Sequence, residues 1–329
     1  MTEARTPSLK RRAARYGLTL GAAGGLLAGL PYLNSPDGSD DGGRAEPLAA
    51  AADHRPAAGA GTGAASGTGP GAASSDAQGV GAAGPVAAAV RIPMPPGNAP
   101  FDYQLGGAYR PAAGVEVLSR DRSDRPVPGA YTICYVNGYQ AQPNELRWWQ
   151  RNHPDLLLKD AHGRPVVDED WNEVLLDTRT AAKRTRLAAV VGRWIDGCAR
   201  HGFQAVEPDN LDSYERSKGL LRKSDNVAFA RLLAARSHAR GLAIGQKNTS
   251  ELAPQGRRTG FDFAVAEECG RYDECGAYTA AYGNRVFVIE YRARDFKRTC
   301  ATWGGRLSVV QRNVDLRPVG RTGYVRKAC

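Results

Sequence analysis

Gln204-Ala205-Val206-Glu207-Pro208-Asp209-Asn210 is a short apolar run that ends on two acids, Glu207 and Asp209, with one proline between them. The pattern returns in residues 261–268, which end on Glu267 and Glu268, and in residues 285–291, which carry Glu290 just before Tyr291. Three strands deliver acids to one place only as parallel neighbours, and parallel strands need crossover helices between them. The stretch therefore predicts an α/β chain folded as a (β/α)8 TIM barrel, with its functional loops at the carboxyl ends of the strands.

Working outward, apolar or alternating runs recur at residues 101–105, 115–118, 131–136, 174–176, 204–206, 242–244, 261–265, 285–289 and 307–310. Eight close a barrel, and the ninth is an extra edge or a closing strand. Between them helices are legible. In residues 181–200, Leu187, Val190, Val191, Trp194, Ile195 and Cys198 recur at spacings of three and four, the signature of a helix packed on a sheet, and Gly202 ends it. Ser224 with Asp225 reads as an N-cap pair for a second helix with Phe229, Ala230, Leu232 and Leu233 inward. Gly241 suits its left-handed end.

The 329 residues divide by composition. Residues 34–99 contain no Phe, Tyr or Trp and consist mostly of Ala, Gly, Ser and Pro, which reads as a disordered linker. Residues 100–329 hold every Trp and every Cys and form one expected domain. In residues 1–33, Lys10, Arg11, Arg12 and Arg15 precede an uncharged stretch from Tyr16 to Leu33, the order of an export signal or an uncleaved signal anchor. An extracellular or cell-surface, monomeric protein is expected, touching membrane only through such an anchor. All six cysteines fall in the folded part, and an even number in an exported domain favours disulfides. Cys269 and Cys275 would close a short loop after an acid-bearing strand, and Cys300 with Cys329 would fix the C-terminal tail. Cys134 and Cys198, each on an apolar run, read equally as buried thiols or as a bridge. No zinc spacing occurs.

Net charge is +10, and residues 100–329 carry 36 Lys and Arg against 27 Asp and Glu. The basic residues are scattered, without an arginine stripe or a nucleic-acid-binding motif, so a solvated basic surface is the reading and nucleic acid is not an expected partner. A Gly79-x-Gly81-x-x-Gly84 match lies in the Ala/Gly stretch with neither strand nor helix beside it, and it is not a nucleotide loop.

The strand ends collect Gln104, Tyr135, Asp177, Glu207, Asp209, Asn210, Lys247, Asn248, Glu267, Glu268, Glu290 and Tyr291. Amides and acids bond sugar hydroxyls, rings stack on apolar sugar faces, and two carboxylates carry out displacement at an anomeric carbon. Plainer roles stand beside these. Glu207 reads equally as a chemical group or as a charge held by a buried base. Glu268 should point away from Glu267. Asp177, close to Arg179, and Glu290, beside Arg292, read also as orienting partners, and Lys247 as the neutraliser of the acids. Trp148 and Trp149 suit core or lid positions.

Val206-Glu207-Pro208-Asp209-Asn210-Leu211-Asp212-Ser213-Tyr214, followed by Gly241-Leu242-Ala243-Ile244-Gly245-Gln246-Lys247-Asn248, resembles glycoside hydrolase family 114, the endo-α-1,4-polygalactosaminidases. Ile133-Cys134-Tyr135, the Glu267-x-Cys269-x-x-Tyr272-x-Glu274-Cys275 block and Val286-Phe287-x-x-Glu290-Tyr291 extend the likeness in the same order. The resemblance implies a barrel hydrolase that cuts α-1,4-linked galactosamine polymers without metal or cofactor. It places the essential acids at Asp209 and Glu267, and adds Asp212 and Tyr214 to the expected sugar contacts. The chain departs from the family at Ala266-Glu267-Glu268-Cys269, at Asn137-Gly138-Tyr139 and in the second strand, all in substrate-binding loops. The alternative is a non-catalytic carbohydrate-binding or cell-wall-associated barrel.

Overall fold

A computed structural model describes residues 91–329. The expected signal or anchor segment and most of the expected linker lie outside the described residues. Eight parallel strands form the body: β1 (Phe101–Gln104), β2 (Val117–Asp121), β3 (Tyr131–Asn137), β7 (Ala205–Asp209), β8 (Ala243–Lys247), β9 (Phe263–Glu267), β10 (Val286–Glu290) and β11 (Ser308–Arg312). They are neighbours in that order, and β12 (Arg326–Ala328) adds antiparallel to β11. The helices α2 (Ala181–His201), α4 (Lys223–Ala239), α5 (Ala253–Thr259), α6 (Cys275–Tyr282) and α7 (Ala293–Trp303) alternate with them. The result is a nearly closed, TIM-barrel-like sheet. At the seam Asp102 of β1 meets Arg312 at 3.4 Å and Arg326 at 3.3 Å, so buried charge bridges β1 to the β11–β12 edge.

The run at residues 174–176, expected among the barrel strands, belongs elsewhere. Between β3 and α2 the chain inserts β4 (Gln140–Ala141), α1 (Leu146–Asn152), β5 (Val167–Asp168) and β6 (Glu173–Leu175), and the three strands make a separate antiparallel sheet in the order β4-β6-β5. A three-residue apolar run carries no signal of direction, so periodicity cannot tell a barrel strand from an antiparallel one. A further short helix, α3 (Ser213–Arg216), follows β7.

Strand alternation sorts side chains into two cores. Phe101, Tyr103, Val117, Ile133, Phe263, Val265, Phe287 and Ile289 fill the barrel interior, while Val206, Ile244, Leu187, Val191, Phe229 and Leu233 seal the sheet against α2 and α4. Helix α2 opens on Thr180, whose side chain accepts from the Lys183 N–H at 3.2 Å, and closes on left-handed Gly202. Helix α4 begins at Lys223 rather than after a Ser224–Asp225 cap. Asp225 lies inside the first turn and accepts from the Arg222 N–H at 3.1 Å. Leu232, expected inward, is 39 % exposed. Disulfides join Cys134 of β3 to Cys198 of α2, Cys269 to Cys275, and Cys300 to Cys329. The open choice for Cys134 and Cys198 thus resolves as a bridge across the outer core.

The expected boundary at residue 99 falls inside a set of contacts. Ile92 packs on the interior cluster, Tyr131 donates to the Pro93 carbonyl at 2.7 Å, and Arg285 donates to the Pro95 carbonyl at 3.3 Å. A chain beginning at Asn98 loses these contacts and one beginning at Arg91 keeps them. The shorter chain is expected to melt roughly 3–8 °C lower by calorimetry. Equal midpoints would mean that residues 92–97 contribute nothing to the fold.

Candidate active site

Three adjacent strands end on the residues that matter most. Asp209, Lys247 and Glu267 are the last residues of β7, β8 and β9. The chain then turns away at once through left-handed residues, Asn210 at φ 68°, Asn248 at φ 50° and Glu268 at φ 57°. Asn tolerates that conformation, whereas Glu268 holds it under strain. Glu268 is kept there by its N–H bond to the Ile289 carbonyl at 2.7 Å and by a 2.7 Å ion pair with Arg271.

Lys247, 2 % exposed, stands at the centre. Its Nζ lies 3.2 Å from Glu207 Oε1, 3.2 Å from Asp209 Oδ1 and 3.5 Å from Glu267 Oε2, and donates to Tyr103 OH at 2.9 Å. Burial works against its charge, but the carboxylates of Asp209, Glu267 and Glu207 outweigh burial and hold its pKa well above the usual lysine value. Glu207 is fully buried beneath the mouth, where Tyr103 and Ser119 donate to it. Burial raises its pKa, with Lys247 and these hydrogen bonds opposing. The buried base that one of its two expected readings calls for is beside it, as Lys247.

The two other acids face open space. Asp209 accepts from Tyr135 OH at 2.8 Å and from the Asn210 N–H at 2.8 Å. Burial and the Asp209 charge keep the Tyr135 hydroxyl protonated well above its usual range, so it serves as a donor. Glu267 accepts from Asn248 Nδ2 at 2.9 Å and from Tyr291 OH. Both acids line a cavity of about 410 Å³ together with Tyr103, Tyr135, Asn210, Asp212, Lys247, Asn248 and Tyr291.

Besides the buried Glu207, four expected contacts are not on that wall. Gln104 and Glu290 occupy the alternate face of their strands. Gln104 donates to Asp102 at 2.8 Å, and Glu290 accepts from the Gly270 N–H at 2.8 Å and from Thr299. Asp177 lies beyond β6 in an ion cluster with Arg179 at 2.7 Å and Lys183 at 2.5 Å, and Tyr214 donates to Glu251. Asp177 was read as a barrel strand end, and the strand before it is not in the barrel.

The inserted sheet supplies what the sequence reading missed. Asp168, Asp170, Trp171 and Glu173 line the cavity, joined by Asp121, Glu215, Arg216 and Asp315. Glu173 accepts from Asn137 at 2.8 Å and Gln140 at 2.9 Å, and burial pushes its pKa up to about 7. The pairing of Asp168 with Glu173 across β5 and β6 was the available signal: acids flanking a short turn, Glu169-Asp170-Trp171-Asn172. Nine carboxylate residues face this cavity against two basic ones, Arg216 and Lys247, the reverse of the overall charge. Among the described residues no cluster of three or more His, Cys, Asp or Glu could hold a metal ion, and no helix is long and apolar enough to cross a membrane.

Residues 82–329 match the family model described as glycoside-hydrolase family GH114. The chain belongs to that family. It is a glycoside hydrolase. Comparison with curated proteins finds none that matches. Among solved structures the fold is similar to Ega3 of Aspergillus fumigatus in complex with galactosamine, with a TM-score of 0.59 and 22 % identity over 73 % of this chain and 98 % of that one. The glycoside hydrolase domain of PelA from Pseudomonas aeruginosa gives a TM-score of 0.48 and 14 % identity, covering 68 % of this chain and 98 % of the domain.

Burial lifts the Glu290 pKa from 4.5 to about 7. The folded state therefore holds a proton that the unfolded state releases, and this contribution is complete below about pH 4.5 and lost as pH climbs through about 7. Glu290→Gln is expected to stabilise the enzyme at pH 8 relative to pH 5 by on the order of 1–3 kcal/mol, read from denaturant midpoints, with hydrolysis reduced less than about tenfold. A wild-type and variant difference that does not move with pH would refute the buried-acid account.

Proposed function

We propose that this GH114 hydrolase is an exported (β/α)8 enzyme that cleaves α-1,4-linked galactosamine polymers, with Asp209 and Glu267 as its carboxyl pair. One observation carries the reading: two strand-end carboxylates flank a shared ammonium at the mouth of an acid-lined cavity. A deacetylated galactosamine polymer is cationic. The chain's net charge of +10 would repel it at long range, but within roughly 8–10 Å, the screening length at physiological salt, the cavity acids dominate. The family match and the galactosamine held by the similar Ega3 structure support the same substrate class. Three disulfides and the basic, then apolar, N-terminal sequence support export through a signal or anchor.

The spacing supports a retaining course. Asp209 Oδ1 and Glu267 Oε2 lie 3.2 and 3.5 Å from one nitrogen, so their separation cannot exceed the sum of those lengths. That limit barely reaches the roughly 6.5–9.5 Å of inverting pairs and includes the roughly 5–5.5 Å of retaining ones. Asp209, nearer the ammonium and bonded to a backbone N–H, is the nucleophile. Its carboxylate attacks the anomeric carbon as the glycosidic C–O bond breaks, and Glu267 gives its proton to the departing oxygen. Glu267 then takes a proton from water, whose oxygen displaces Asp209 and leaves a hemiacetal of the original α configuration.

The test is product analysis on galactosamine, glucosamine and uronic-acid polymers of graded deacetylation. Wild type is expected to cut the galactosamine polymer and release the α anomer first. Asp209→Asn and Glu267→Gln should each lower the rate at least about 10²- to 10⁴-fold with melting points near wild type. Cleavage confined to another polymer would overturn the substrate, and Glu267→Gln with more than about a tenth of wild-type turnover would overturn the pair.

A further inference from the structure

Glu173 opens β6 on the cavity wall and takes no part in the displacement. It is 9 % exposed, and its hydrogen bonds converge on one oxygen. Oε2 accepts from Asn137 Nδ2 at 2.8 Å, from Gln140 Nε2 at 2.9 Å and, more weakly, from Asn210 Nδ2 at 3.4 Å. Among the described residues Oε1 takes no hydrogen bond, and it is not sealed away from the cavity that the residue lines. The carboxylate also lacks a cation. Arg216 is committed to Asp168 at 2.7 Å and Asp212 at 2.9 Å, and Lys247 to Glu207, Asp209 and Glu267. A buried carboxylate without a positive partner is costly, and burial, with the charges of Asp209 and Asp168 acting in the same direction, resists its ionisation.

The place of Glu173 relative to the reaction centre is fixed from two sides. Asn137, which donates to Glu173, pairs with Asp209 across β3 and β7. Asn210 spans the two acids, its N–H on Asp209 Oδ1 at 2.8 Å and its Nδ2 toward Glu173. A sugar seated on Asp209 therefore has Glu173 one asparagine away. In a 2-amino sugar the ammonium stands on the carbon next to the anomeric carbon, so it brings a cation to the side where this carboxylate lacks one. A hydroxyl at that carbon would bring a donor without charge, and an N-acetyl group would bring bulk and a further acceptor.

We propose that Glu173 is the residue that selects a free amine, its Oε1 accepting from the ammonium of the sugar unit seated beside Asp209. The assignment rests on the galactosamine reading and deepens it, because it gives the choice between amine, hydroxyl and N-acetyl to one side chain of the inserted sheet. The ammonium completes the ion pair that the fold leaves open, while Asn137, Gln140 and Asn210 hold the other oxygen in place.

Calorimetric titration tests it with α-1,4-linked trimers of galactosamine, N-acetylgalactosamine and galactose, in the Asp209→Asn background so that turnover is slowed. The parent should bind the galactosamine trimer most tightly. Adding Glu173→Gln, which keeps an oxygen for the three amide donors, should weaken that trimer by about 10- to 100-fold and the other two by less than about threefold. The difference should persist in about 1 M NaCl, where attraction to acids not in contact with the ligand is screened out. The parent alone gives a second reading, since its preference for amine over hydroxyl should likewise survive the salt. A loss of one size on all three trimers, no loss on any, or a preference that vanishes in salt overturns the assignment while the galactosamine reading stands. A parent that binds the galactose trimer as tightly as the galactosamine trimer sinks that reading and the assignment with it.

Discussion

One ammonium, that of Lys247, makes the mouth of this barrel physically tenable. Glu207, Asp209 and Glu267 come from two strands on either side of β8, and like charges a few ångströms apart repel by about 4 kcal/mol per pair even in a moderately polarisable surround. Placed within 3.5 Å of all three, Lys247 offsets most of that repulsion and leaves the group net negative. The register makes this work: Lys247 pairs with Val265 on β9, so Glu267 stands two residues farther along its strand with its carboxylate 3.5 Å from the nitrogen. Beneath Lys247, Gly245 leaves the space that the Phe263 ring occupies, since a Cβ there would lie 2.6 Å from it. The ammonium is also flanked by the rings of Tyr103 and Tyr135, whose centres are 5.5 and 5.6 Å away.

From that centre the function divides by depth. Glu207, sealed below, serves the charge balance, while Asp209 and Glu267, one layer higher, keep open faces toward the cavity. Their hydrogen bonds come from strand ends and left-handed turns rather than from long loops, so the fold itself fixes how the two carboxylates are oriented. The disulfide from Cys269 to Cys275 closes the loop that leaves the strained Glu268, and it stiffens the exit of the strand that carries Glu267.

The sequence made the barrel legible because strand-end acids recur on parallel strands, and Asp209, Lys247, Asn248, Glu267 and Tyr291 were readable for the same reason. Parity explains most of what was misread. Tyr103 faces in and Gln104 out, Tyr291 in and Glu290 out, so a rule that collects every polar residue at a strand end takes both neighbours at β1 and β10, where only one faces the mouth, whereas the left-handed turns after β7 and β8 bring Asn210 and Asn248 to it as well. Parity was applied to Glu267 and Glu268 and needed the same use at β1 and β10. Asp177 and Trp171 were obscured by a different cause. The insert between β3 and α2 is antiparallel, and three apolar residues before an acid look alike in either direction. The local reversal of charge was equally hidden, because nine acids scattered from residue 121 to residue 315 meet only in the folded chain.

An excess of base over acid in the whole chain and an excess of acid at the cavity are compatible, because screening confines each to its own range. The central claim is that the Lys247 cluster presents Asp209 for attack on a galactosamine unit. Peptide mapping by mass spectrometry, on Glu267→Gln quenched while it turns over a deacetylated galactosamine oligomer with an activated leaving group, tests that directly. The account predicts a glycosyl adduct on the peptide that contains Asp209. An adduct on another carboxylate, or release of the β anomer first with no adduct, would contradict it.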